Sequence, residues 1–154
     1  MSSGAGGIEA FANDVRLHIY REAAATGRVP QAPEISAALG RPETDVRATL
    51  QHLAAGKAVI LTPLDAAIWI APPFCAVPSS FRVVSGGTRY WGICIWDAMG
   101  IAAALDADSV ITALCGDCGI PMTLEIRNGR LLRNEGVAHF GVPARRWWDN
   151  IGFT

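Results

Sequence analysis

Between residues 91 and 105 the chain reads WGICIWDAMGIAAAL, an apolar run broken by a single charge, Asp97. A helix of that composition is apolar around its whole circumference and has to be covered on several sides. It is about a turn short of the roughly 20 residues that cross a bilayer and it carries a carboxyl, so it predicts a core helix and no membrane span. Covering it takes a real core, which 51% hydrophobic against 18% charged residues supply in a chain of 154. That length suits one domain, or two small ones sharing an interface. A net charge of −1 supplies no general field for holding nucleic acid or an anionic membrane. The start, MSSGAGGIEAF, lacks the basic segment, apolar core and small-residue cleavage site of a signal peptide, so a cytoplasmic location is expected. Cytoplasmic reductants would then keep Cys75, Cys94, Cys115 and Cys118 as thiols.

Ahead of that run the pattern is helical. Residues 2–7 are small and expected to be loose. Ile8, Phe11, Val15 and Ile19 recur at three- and four-residue steps, predicting an amphipathic helix that stops near Thr26-Gly27. A second helix is expected over 33–39, ended by Gly40, and a third over 42–55, with Val46, Leu50 and Leu53 on one face and Gly56 closing it. Two β-rich pieces, 59–61 and 67–70, flank Thr62-Pro63-Leu64-Asp65 and fit a hairpin. Three helices and a hairpin make a winged helix-turn-helix pattern, expected over residues 8–72. Its DNA-binding use is opposed by charge, because residues 1–62 hold six basic and six acidic side chains. Glu43 and Asp45 begin the would-be recognition helix, where they repel phosphates. The unit therefore reads as structural, with a DNA-binding regulator as a distant alternative and nucleic acid not expected as a partner.

Pro72-Pro73 and the residues up to Pro78 read as an extended linker, since proline holds itself and its predecessor out of helix. A second unit, 73–154, is expected to follow. In it 81–85 and 88–91 flank Gly86-Gly87, a hairpin signal. The apolar helix is expected from near Ile93 to Leu105, with strands over 109–113, 122–126 and 137–142 and a turn at Asn128-Gly129. The expected fold class is α+β: a winged-helix-like three-helix module followed by a mixed α/β domain.

Cys94 and Asp97 are three residues apart, so they project from one face at the head of the apolar helix. A thiol there is a soft nucleophile or metal ligand beside a proton carrier, and the helix N-terminus is expected to lower its pKa. The same spacing also suits a buried cysteine packed as a small hydrophobe. Asp97 among Ile93, Ile95, Trp96, Met99 and Ile101 weighs against that, because an unpaired carboxylate is costly there unless neutral or ligated. Cys115-Gly-Asp-Cys118-Gly is a single CxxC, readable as a tight turn, as half of a zinc site completed from Cys75, Cys94 or His139, or as a redox pair. The redox reading is opposed by the strand, and not a helix, that follows it. His18 and His52 are expected at helix surfaces and His139 as a satisfied strand residue. Arg145-Arg146-Trp147-Trp148 could stack on nucleic acid, but beside Asp149 the Trp pair reads as core with a charged rim.

The string from Tyr90 to Ile101 (YWGICIWDAMGI), the preceding Phe81-Arg82-Val83 and the closing VPARRWWDNIGFT resemble the alkylmercury lyase (organomercurial lyase) family over nearly the whole chain. The resemblance implies a winged-helix-like module joined to an organomercurial-lyase-like α/β domain. It also implies protonolysis of a carbon–mercury bond to a hydrocarbon and Hg(II) without an organic cofactor. Mercury prefers thiolate. Cys94 would bind the organomercurial and Asp97 would deliver the proton to carbon, while Cys115 matches a family cysteine regarded as structural. An organomercurial substrate, a mercuric reductase as acceptor of the product and a role in mercury detoxification are implied with it. The family's second catalytic cysteine falls at or just after Phe153-Thr154, where this sequence stops and relatives continue. Impaired activity is therefore expected unless Cys75, Cys115 or Cys118 substitutes. So is self-association through apolar surface that relatives cover, which light scattering would detect. The alternative is a non-catalytic protein of the same fold holding mercury, copper or zinc through Cys94 and the Cys115–Cys118 pair. A structural zinc and metal contacts by Cys94, Asp97, Cys115 and Cys118 belong to these readings.

Overall fold

The computed structural model describes residues 3–132 and 136–152. Three helices lead: α1 (Ser3–Thr26), α2 (Ala32–Leu39) and α3 (Glu43–Ala55). Short antiparallel strands β1 (Ile60–Leu61), β2 (Ile68–Ala71) and β3 (Phe74–Cys75) then form one sheet in that order. A second antiparallel sheet contains β4 (Phe81–Ser85), β5 (Thr88–Gly92), β6 (Ser109–Leu114), β7 (Pro121–Arg127) and β8 (Arg130–Leu131), in the order β5-β4-β6-β7-β8. Helix α4 (Ile95–Leu105) crosses from β5 to β6, and a 3-10 helix (Ala144–Asp149) ends the described part. The fold is mixed α and β, as expected. No helix among the described residues is long and apolar enough to cross a membrane.

Helix α1 buries Ala12, Val15, Ile19 and Ala23, one stripe at helical spacing. Ile8 lies outside what the stripe packs against and is 59% exposed. The start expected to be loose is helical from Ser3, because a helix already nucleated gains a hydrogen bond for each residue added. Gly27 ends it at φ +74°. The backbone N–H of Gln31, the N-cap of α2, donates to Glu34 at 2.8 Å, while its side-chain amide brackets the backbone of Ile68 in β2 (3.0 and 2.8 Å). One residue thus starts a helix and ties it to a strand. Helix α3 buries Val46, Leu50 and Leu53 and is closed by Gly56 as expected, the left-handed turn coming one residue later at Lys57 (φ +61°). On its outer face Arg47 pairs with Glu43 at 2.7 Å and Arg41 with Asp45 at 3.8 Å, which leaves that face balanced and not basic.

The middle of the segment expected to be a linker is core, while Val77 and Pro78 at its end are exposed. Phe74 and Cys75 are 4% and 3% exposed, because β3 pairs with β2 and the Phe74 ring sits between Tyr20 and Tyr90 (centroids 6.5 and 6.0 Å). Tyr90 also donates to the carbonyl of Ala24 in α1 at 2.8 Å. One cluster of buried residues therefore runs from Ala12 to Ile111 through both halves of the chain. Each fully buried aliphatic side chain in it, such as Ile19, Ile35, Ile101 or Ile111, contributes roughly 2 kcal/mol on leaving water.

Strand alternation sets the second sheet's inner face. Val83 lies opposite both Tyr90 and Ile111, and Ile111 lies opposite Leu124, a continuous apolar row. Helix α4 packs on β4, β5 and β6 with Ala98, Ile101 and Ala102 buried. The Asn128-Gly129 turn forms as expected, both residues at positive φ (+49° and +69°), and brings β8 onto the edge of β7. β8 pairs only with Ile126 and Arg127 of β7, and residues 137–142 do not add to the rest of that edge, Val137, Ala138 and His139 bordering the space between α4 and the sheet instead. They form an exposed irregular segment and not the expected strand, which leaves His139 on a loop.

Candidate active site at the head of the apolar helix

Cys94 is the N-cap of α4, extended at φ −143°, with its sulfur accepting the backbone N–H of Asp97 at 3.5 Å. The cap role is the one a serine would fill, a side chain meeting an otherwise orphan helix donor. Strand β5 delivers the chain to this cap at very close range. A Cβ on Gly92 would stand 2.8 Å from the backbone nitrogen of Ala98 and 3.2 Å from the carbonyl carbon of Asp97. Gly92→Ala should push the first turn of α4 off the sheet and cost about 1–3 kcal/mol. Urea unfolding would show it, and an unchanged midpoint would refute the close packing.

Burial sets the electrostatics. Asp97 is half-buried, and desolvation raises its pKa although the neighbouring Cys94 thiol and Ile93 backbone N–H pull it down. Burial likewise pushes the Cys94 thiol up, and the neighbouring Asp97 charge adds to it, while the N–H groups of Asp97 and Trp96 pull the other way. The expectation that the helix N-terminus lowers this thiol's pKa is thus corrected, because desolvation and a carboxylate outweigh a partial dipole charge. Cys75 is also raised, first by burial and further by the charge of Asp97. Pro73 seats β3 on α4, since a Cβ at Gly100 would lie 3.2 Å from it. The structure therefore brings Cys75, Cys94 and Asp97 into one electrostatic neighbourhood, a grouping that sequence spacing showed only for the last two.

Cys115 and Cys118 stand apart, in the turn between β6 and β7. Cys115 donates its N–H to Ile120 and accepts from Gly119 (both 2.9 Å), and Gly119 takes φ +71°. The backbone N–H groups of Cys118 and Asp117, together with the Cys118 thiol, lower the pKa of Cys115. The structural zinc finds no support: tetrahedral zinc takes four ligands, and among the described residues no group of three His, Cys, Asp or Glu side chains is placed to hold a metal.

Between α4 and the sheet lies a cavity of about 680 Å³, walled by Phe81, Ile95, Met99 and Leu124 and bordered by Cys115 and His139. Its lining went unread in the sequence, although the four-residue step from Ile95 to Met99 was the available signal. The Trp pair is not core. No residue of the 3-10 helix is buried. Trp147 donates to Val142 at 2.8 Å and stacks on Phe140, which meets Trp96 edge-on, while Lys57 sits over Trp148. The charged rim does form, as the Arg146–Asp149 pair at 3.0 Å. His18 and His52 take the boundary and surface places expected of them. The Phe153-Thr154 position lies outside the described residues.

Residues 74–154 match the family model described as alkylmercury lyase, MerB. No curated protein matches significantly. Among solved structures, the mercury-bound form of MerB2 matches with a TM-score of 0.60 and 20% sequence identity, over 82% of this chain and 66% of that one. The chain thus spans just under two thirds of that protein's length, and the likeness at this identity is one of fold.

Proposed function

Because this chain belongs to the alkylmercury lyase family, we propose that it breaks the carbon–mercury bond of organomercurials by protonolysis, with Cys94 as the mercury-binding thiol and Asp97 as the proton donor. The observation that carries this reading is the Cys94 sulfur capping α4, where it accepts the Asp97 backbone N–H at 3.5 Å and so sets the half-buried Asp97 carboxyl and the thiol on one turn at the head of the helix. Mercury is soft and displaces the thiol proton to bond sulfur. The carboxylate beside the thiol takes that proton, and the resulting acid gives it to the carbon leaving mercury. One Hg–S bond forms, the thiol proton moves through Asp97 to carbon, and the carbon–mercury bond breaks to release R–H and leave Hg(II) on sulfur. Cys75, within reach of the Asp97 charge, is the thiol best placed to raise mercury's coordination during the step. No organic cofactor is needed for this chemistry, and a mercuric reductase is the fitting acceptor for the product ion in the cytoplasm.

The finer organisation follows the same reading: residues 8–72 serve as a winged-helix-like structural module and 73–154 carry the chemistry. The test is release of methane or benzene from methyl- or phenylmercury, followed in the headspace. Wild type should release hydrocarbon and Cys94→Ser should not, while Cys75→Ser should slow release. Mercury captured by the wild type with no hydrocarbon formed would overturn the lyase reading in favour of a thiol-based metal-binding protein.

A further inference from the structure

We propose that the Cys115–Cys118 turn is a second, two-coordinate site for a thiophilic ion, and that it takes up the Hg(II) released at the Cys94–Asp97 centre. The origin of the ion rests on the lyase reading, whereas the binding itself does not. The turn holds two cysteines three residues apart in one closed loop. Two backbone hydrogen bonds of 2.9 Å, Cys115 to Ile120 and Gly119 to Cys115, close it, and Gly119 at φ +71° lets it reverse. Within this closed turn, Cys118 is among the groups that pull the Cys115 thiol's pKa down. Cys118 is exposed and Cys115 half-exposed, so neither has to be uncovered for an ion to arrive.

The same geometry selects the ion. Zinc wants four ligands and finds no third His, Cys, Asp or Glu grouped with this pair among the described residues. Hg(II) is satisfied by two opposed thiolates and is softer. Cys115 also borders the cavity whose far wall carries Ile95 and Met99, and Ile95 adjoins Cys94 along the chain. The cavity, which Met99 and Met122 also line, thus reaches from Cys115 to Ile95, the residue after Cys94, while Cys94 and Asp97 themselves are not among its lining residues. Transfer is thiolate exchange. Hg–S bonds to Cys115 and Cys118 form as the bonds to Cys94 and its co-ligand break. The two incoming thiols give up their protons as the two outgoing thiolates take protons up, and nothing is oxidised or reduced.

The experiment uses the full chain carrying Cys94→Ser, a substitution that keeps a good helix cap, with mercuric chloride as probe and excess glutathione as competitor. This chain should retain one Hg(II) with two sulfur neighbours by X-ray absorption, and adding Cys118→Ser should lose it to glutathione. Zinc chloride should not compete. Retention unaffected by Cys118→Ser, an ion with one or four sulfur neighbours, or no retention by a Cys94→Ser chain whose circular dichroism matches wild type would each overturn the proposal. The probe is inorganic mercury, so failure of the lyase reading appears only in hydrocarbon release and is not confused with failure of this site.

Discussion

Asp97→Asn is expected to reduce hydrocarbon release from phenylmercury by roughly 10²–10⁴-fold, the usual contribution of a positioned proton donor, while mercury still binds at Cys94. An amide keeps the shape of the carboxyl and can accept the Cys94 thiol's hydrogen bond, but it cannot collect that proton and pass it to carbon. The same substitution should stabilise the fold at neutral pH. Burial raises the pKa of Asp97 above its ordinary 3.8, so between that value and its folded pKa the native state binds more protons than the unfolded one. Stability from this group is fully present below 3.8 and is lost as pH rises through the folded pKa. Asn has nothing to ionise, so the variant should match the wild type in acid and exceed it at neutral pH. Urea midpoints at the two pH values, read beside headspace benzene, test both halves. Wild-type release by the variant, or a variant less stable than wild type at neutral pH, would remove Asp97 from the role given to it.

Gly27→Ala is expected to be the most damaging single methyl in the fold. Gly27 ends α1 at φ +74°, and a Cβ there would stand 2.0 Å from the carbonyl oxygen of Arg89 in β5. The left-handed conformation alone costs a non-glycine residue about 1–2 kcal/mol, and forcing an atom into packed backbone costs about 1–3 kcal/mol more. Together these remove a large share of a typical net stability of roughly 5–15 kcal/mol. Gly40 is the internal control, since it has a similar φ of +62° but nothing within 4 Å of the built Cβ. Gly40→Ala should therefore lose only the conformational part, and the gap between the two variants in urea unfolding measures the α1–β5 contact. Equal losses would mean that β5 gives way freely. The contact matters to the site because β5 runs from Arg89 to Gly92, directly beneath the first turn of α4.

Local pattern made much of this molecule legible. Three- and four-residue spacing located α1 and α3 with their buried faces, Gly27 and Gly40 marked helix ends, and Gly86-Gly87 and Asn128-Gly129 marked the turns of two hairpins. The three-residue step from Cys94 to Asp97 placed a thiol and a carboxyl on one turn, and in the structure the Asp97 backbone N–H donates to the Cys94 sulfur. These are contacts between residues close along the chain, where backbone periodicity alone decides who meets whom. The readings that failed needed partners distant in sequence. The Pro72-Pro73 segment looks like a linker until β3 pairs with β2 and Phe74 enters the ring stack with Tyr20 and Tyr90. Residues 137–142 have strand composition but pair with no strand, Val137, Ala138 and His139 lying instead along the cavity between α4 and the sheet.

The candidate site divides the same way. That Cys94 and Asp97 form a unit follows from helix geometry and was written in the chain itself. Which way their protons lean was not, because a helix dipole is local while desolvation depends on everything packed around the group. Here it raises the Cys94 thiol that the dipole would lower. Nor could spacing bring Cys75 within reach of the Asp97 charge. That proximity arises only when β3 is seated on α4 through Pro73 and Gly100, since burial and long-range packing are properties of the folded whole and not of any stretch of the chain.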